Sequence, residues 1–210
     1  MLIHNDTEMK FYLKTTIPAL FAFLACKPLA TQEPASNETS SNKHYRVIVT
    51  SDFPMFPVTN SDPDDVQSIV RFLLYSNEFD VEGLIVSAGT FDMVAEKKNM
   101  LAVLDEYDKV DENLRKHDSK YPTANALRSI TYEGKGNNNG INIKWGCGKQ
   151  PVEEIIGEGK SSEASDAIIA AVDKPDPRPL WISVWGGPRE VAQAIWDVRN
   201  TRSEKEIKNR

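Results

Sequence analysis

Four aspartates stand close together near the start of the folded part of the chain, and their type and spacing suit a hard cation or acid–base chemistry. Asp52 follows an apolar run at 46–50, and Asn60-Ser61-Asp62-Pro63-Asp64-Asp65 comes after an insertion containing Phe and Pro. Carboxylates that converge repel one another unless a cation, a shared proton or solvent intervenes. Asp-only clusters favour oxygen-loving ions such as Ca²⁺ or Mg²⁺. The same residues also open a helix well, with Asp62 as N-cap, Pro63 in the first helical position, and Asp64 and Asp65 in the first turn. Acids there complement the helix dipole, each by roughly 0.3–1 kcal/mol. A sheet-edge patch that binds a ligand without metal is a third reading, and local spacing leaves all three open. No Gly-x-Gly-x-x-Gly follows the first apolar run, which argues against a dinucleotide site.

A second junction, Trp185-Gly186-Gly187-Pro188-Arg189-Glu190, joins an apolar run to a helical pattern. Its glycines permit close backbone approach to a ligand, although a tight turn explains them equally well. Histidine chemistry is unsupported: His4, His44 and His117 fall in a leader, a tether and a helix end. Cys147, between two glycines, reads as a free thiol in a loop, and two cysteines are too few for a disulfide scaffold. A net charge of −6 argues against a general nucleic-acid binder.

The elements that must position these residues alternate. Strands are expected at 46–50, 81–87 and 180–185, and helices at 65–76, 91–114, 162–172 and 188–199, with 119–156 mostly loop. Strand–helix alternation with continuous apolar strands predicts a Rossmann-like α/β fold with a mainly parallel sheet. In such sheets the binding crevice lies beyond the C-terminal ends of the strands, which is where both junctions fall. Trp181 and Trp185 sit in a strand that reads as buried, so core packing is their expected use.

Residues 1–26 read as a signal peptide: Lys10 and Lys14 precede the uncharged run 17–25, too short to span a bilayer. Cys26 follows Phe-Leu-Ala, which resembles a bacterial lipoprotein box and implies a lipid anchor at that cysteine; plain secretion and a buried helix are the alternatives. Secretion, or periplasmic or outer-membrane anchoring in a bacterium, is the expected localisation. Residues 27–44, rich in Pro, Ser, Thr and Asn, form the tether, and 45–210 the folded domain.

Residues 61–84, 157–165 and 179–188 together resemble the nucleoside-hydrolase-like domain family of cellulose-binding proteins, within the inosine–uridine nucleoside hydrolase superfamily. The resemblance implies a hydrolase of N-glycosidic bonds with one Ca²⁺ that holds a catalytic water and two sugar hydroxyls. Carried over, Asp52 and Asp65 are metal ligands, Asp64 is the base, and a main-chain carbonyl near Arg189 is a further ligand. Asp62 competes with Asp52 for the first-ligand role and otherwise contacts substrate. Thr90 stands where the hydrolases carry an asparagine that positions the sugar, and it cannot offer both an amide donor and an acceptor. The superfamily's last metal ligand is an aspartate well beyond the Trp-Gly-Gly turn. No aspartate follows Asp197 here, so the expectation is a C-terminally truncated domain with an incomplete ligand set. A non-catalytic carbohydrate-binding role is the alternative.

Overall fold

The computed structural model describes residues 44–54, 63–144 and 149–208, all within the unit Ser41–Arg210. The expected leader, Cys26, nearly all of the tether, Asp62 and Cys147 lie outside the described residues.

The elements run β1 (Tyr45–Ser51), α1 (Asp64–Leu73), β2 (Phe79–Val86), α2 (Lys97–Asp108), α3 (Asp111–His117), α4 (Ala124–Ser129), β3 (Thr131–Glu133), α5 (Val152–Ile155), α6 (Glu163–Asp173), β4 (Leu180–Val184), α7 (Arg189–Thr201) and α8 (Glu204–Lys208). The strands form one sheet in the order β3-β2-β1-β4, and every pairing is parallel. The α/β, mainly parallel architecture read from the alternation is therefore the architecture found.

Central β1 is buried along all but its first residue, as expected of a parallel strand covered on both faces. Val47 and Val49 join Leu84 and Val86 against Ile69 and Leu73 of α1 and Met100 and Leu104 of α2. Ile48 and Ile85 turn the other way, against Ala164, Ile168 and Ala171 of α6 and Ala194 of α7. At the N-terminal end of the sheet the buried Arg46 donates to Arg178 O at 3.1 Å, to Ala171 O at 2.6 Å and to Glu82 Oε2 at 3.1 Å.

Three expectations change. The helix at 91–114 is two helices: Lys109 and Val110 interrupt it, and α3 begins at Asp111, whose buried carboxylate accepts the N–H of Ala124 at 2.8 Å. Residues 91–96 are not helical, because Gly89 N–H donates to Asp92 O at 2.7 Å and closes a loop. The stretch 119–156 holds α4, the edge strand β3 and α5 rather than loop alone. At α1, Pro63 rather than Asp62 occupies the N-cap position, and no side chain caps the helix there.

Candidate functional site

The ends of β1, β2 and β4 and the start of α1 meet at one pocket of about 400 Å³, a size suited to a small ligand. Asp52, Asp64, Asp65, Thr90 and Arg189 all line it. The structure thus brings the described sequence candidates to a single place.

Asp52, just past β1, is buried. Its carboxylate is pressed between two main-chain segments. A Cβ on Gly89 would stand 2.0 Å from Oδ2, and one on Gly186 would stand 1.7 Å from Oδ1. Burial pushes the Asp52 pKa up, and main-chain N–H groups of Asp52, Phe91 and Asp92 oppose that shift. The charge of Asp64 adds to the rise. A buried carboxyl next to a second acid is stabilised when a cation approaches.

Asp65, in the first turn of α1, is buried, and Ser51 Oγ donates to its Oδ1. Asp64, its neighbour, is exposed. Consecutive helical residues point about 100° apart, so one acid lies against the strand end while the other remains free to meet a ligand. Among the described residues, no three His, Cys, Asp or Glu side chains gather as a metal-holding group. Thr90 is half-buried, and beside it Phe91 is exposed.

Arg189 opens α7, and all three nitrogens of its guanidinium are engaged by Glu190 and by main-chain carbonyls. Nε donates to Ile155 O at 3.0 Å, Nη1 to Glu190 Oε1 at 2.6 Å, and Nη2 to Lys160 O. Glu190 is fully buried and also accepts from Lys135 N–H at 3.0 Å and from Ser162 Oγ. This pair fastens the end of α5, the α5–α6 connection and the segment after β3 to the start of α7, and it spends the arginine's charge on Glu190. The acidic floor therefore keeps its negative potential. Gly187 has a φ of 54° and lies against Ser87, so the turn before α7 requires glycine there.

Sequence reasoning missed Asp92, Phe91 and Glu190. Burial pushes the Asp92 pKa up, and the nearby Asp52 adds to the shift. Its signal was weak, a single acid shortly after Gly89-Thr90. Glu190 resembled any acid in a first helical turn, and its burial depends on Gly134, whose added Cβ would stand 2.6 Å from Glu190 Oε1.

Beneath Gly187, the hydroxyl of Ser87 is buried with no hydrogen-bond partner among the described residues, as is that of Thr50. An unpaired buried hydroxyl costs about 1–3 kcal/mol. Ser87→Ala is therefore expected to leave the melting temperature unchanged or raise it. A fall of several degrees in a thermal melt would mean that this hydroxyl has a partner.

Residues 46–210 match the family model described as the cellulose-binding Sde182, nucleoside hydrolase-like domain. The chain belongs to this family. Among solved structures, it is similar to a nucleoside hydrolase-related hypothetical protein from Saccharophagus degradans associated with carbohydrate metabolism, with 37% identity and a TM-score of 0.62. The match covers 79% of this chain and 36% of that one, so this Sde182-type chain spans little more than a third of its relative's length. No curated protein matches it significantly.

Proposed function

We propose that the strand-end pocket of this Sde182-type domain holds a sugar ring above its aspartates and serves hydrolysis of an N-glycosidic bond, with Ca²⁺ as cofactor. The observation that carries this reading is the meeting of Asp52, Asp64 and Asp65 at one pocket whose lining arginine is already neutralised by Glu190. Loss of a base from a furanoside passes through an oxocarbenium-like state, and negative charge beneath the ring stabilises it.

Carboxylate oxygens are the donors that Ca²⁺ takes, so Asp52 and Asp65 fit the ion in kind, and the Arg189 carbonyl and Asp62 are the further ligand candidates. When bound, Ca²⁺ supplies positive charge that acidifies water and orients a sugar diol. Asp64 accepts the proton of the attacking water on its exposed carboxylate. Thr90 offers a hydroxyl to the sugar. Ile143, Ile155 and Trp185 give the pocket apolar walls that limit access of bulk water.

Saccharide binding without cleavage is the second reading. It is favoured by Phe91, 61% exposed at the pocket, where an aromatic face can meet a sugar ring, and by the family's cellulose-binding description. Release of base from nucleosides and of reducing sugar from cello-oligosaccharides separates the two readings. Under the hydrolase reading, Asp64→Asn lowers turnover by about 10²–10⁴-fold while ligand binding survives. Asp65→Asn removes the calcium-induced rise in melting temperature. If both variants keep the wild-type calcium response and sugar binding, the metal-assisted reading fails.

A further inference from the structure

We propose, on the basis of the sugar-site reading above, that Asn137 and Asn138 are positioning residues of the strand-end pocket: they clasp its loop-built walls by the main chain and so set how tightly it holds a sugar. β2 ends at Val86 and β3 at Glu133. The pocket residues Ala88, Gly89, Thr90 and Phe91 lie beyond β2, in a stretch 87–96 with no helix or strand of its own. Between β2 and β3 the last ladder bond, from Gly134 N–H to Val86 O at 2.8 Å, is made before these residues begin. Walls that meet a ligand need their backbone held by other means.

The asparagines continue the ladder with their side chains. A carboxamide is short and carries a donor and an acceptor side by side, so it can satisfy both main-chain groups of one residue, as a neighbouring strand does. Asn138 does this to Ala95, accepting its N–H at 3.0 Å and donating to its carbonyl at 2.9 Å. Asn137 does it to Ile143, accepting its N–H at 2.5 Å and donating to its carbonyl at 3.0 Å. The Asn137 N–H itself donates to Met93 O at 2.8 Å. Asn139 closes the turn, accepting Gly136 N–H at 2.7 Å and donating to Gly134 O at 3.0 Å.

Both clasps end on the pocket. Ile143 lines it and is buried with Ile141 against Ala88 and Ala95. A Cβ on Gly136 would stand 2.7 Å from Met93 O and 2.8 Å from the Ala88 Cβ, so the asparagine segment lies directly on the stretch that carries Thr90 and Phe91. That stretch also brings the N–H groups of Phe91 and Asp92 to the Asp52 carboxylate. Asn137 and Asn138 are exposed and stand outside the pocket lining, so they act on a ligand through Ile143 and Ala95. A wall fixed before the ligand arrives spares the ordering cost of binding. Ala95 is fully buried, so losing its clasp leaves its N–H and carbonyl unpaired and favours local opening of the stretch.

Isothermal titration of the 210-residue chain with inosine and with cellotetraose, alongside amide hydrogen exchange, tests the assignment. Asn138→Ala removes both hydrogen bonds to Ala95 and is expected to weaken whichever probe the wild type binds by about tenfold. The amides of Thr90, Phe91 and Asp92 are expected to exchange about tenfold faster, and those of Ile48 and Val49 at the wild-type rate. Asn138→Asp keeps the acceptor for the Ala95 N–H, is expected to fall between alanine and wild type, and serves if the alanine variant misfolds. Wild-type affinity in Asn138→Ala and Asn137→Ala overturns the assignment and leaves the sugar reading standing. So does a loss of affinity with faster exchange at Ile48 and Val49, which is loss of the fold rather than of a wall. A wild-type chain that binds neither probe overturns the sugar reading, and the positioning role with it.

Discussion

Replacing Gly186 with alanine is expected to unseat Asp52 and abolish the calcium response of the protein. The added Cβ would lie 1.7 Å from Asp52 Oδ1, well inside any real contact distance. The carboxylate cannot move aside towards β2, because the Gly89 backbone closes that direction and even a Cβ there would stand 2.0 Å from Oδ2. Either the strand ends separate or Asp52 leaves its place. Overpacking of this kind typically costs about 1–3 kcal/mol, which for a domain of this size lowers the melting temperature by roughly 2–12 °C. A thermal melt with and without CaCl₂ reads both effects. Should Gly186→Ala melt at the wild-type temperature and keep a wild-type calcium shift, Asp52 is not held between these two glycines and its role in the site falls with that geometry.

The largest effect on stability is expected at the opposite end of the sheet. Arg46 is 2% exposed, and its partner Glu82 is 10% exposed. Lys174 Nζ also donates to Glu82 at 2.9 Å. Arg46→Met leaves Glu82 without its buried partner and removes the donors to two carbonyls, a loss of about 3–5 kcal/mol. Urea denaturation checks this, and the double variant Arg46→Met/Glu82→Leu is expected to recover much of the loss because no charge is then stranded. The pair also sets a pH dependence. Burial alone would raise the Glu82 pKa, but the hydrogen bonds from Arg46 and Lys174 outweigh it and hold the carboxyl below its ordinary value. A carboxyl depressed on folding contributes stability that is fully present above its unfolded pKa and is lost as pH falls through the folded value. Wild type should therefore lose stability on acidification more steeply than the double variant. Equal slopes would remove Glu82 from the acid sensitivity of the fold.

The strands that carry the site were legible because a strand covered on both faces is a continuous apolar run, as in Val47-Ile48-Val49. Their ends, and so the location of the pocket, followed from that pattern. Helix α2 was less legible. Periodicity ran on from residue 91 to 114, yet Gly89 and Asp92 close a loop around Asp52, and Asp111 is drawn to the N–H of Ala124 instead of continuing one helix. Periodicity registers neither the Asp52 carboxylate that the Phe91 and Asp92 main chain wraps nor the N–H of Ala124 that Asp111 accepts. Strand β3 has three residues, too few for an alternation to show. Trp181 was expected in the core because its strand reads as buried. At the edge of the sheet no helix covers its face among the described residues, and the ring is exposed instead.

The sequence by itself determined the alternation of strands β1, β2 and β4 with their helices, the placing of the aspartates at a strand end and a helix start, and the family resemblance that the match over residues 46–210 bears out. Those properties are written in residue type and short-range spacing. Tertiary structure alone decided how the acids differ. Asp52 is enclosed because Gly89 and Gly186 reach it from β2 and β4, the strands on either side of β1. Asp65 is tied to Ser51, and Asp64 faces solvent. Arg189 belongs to a buried pair with Glu190, so its charge is withheld from the acids. A carboxylate's charge, reach and proton affinity depend on what surrounds it, and here the surroundings are assembled from segments far apart along the chain.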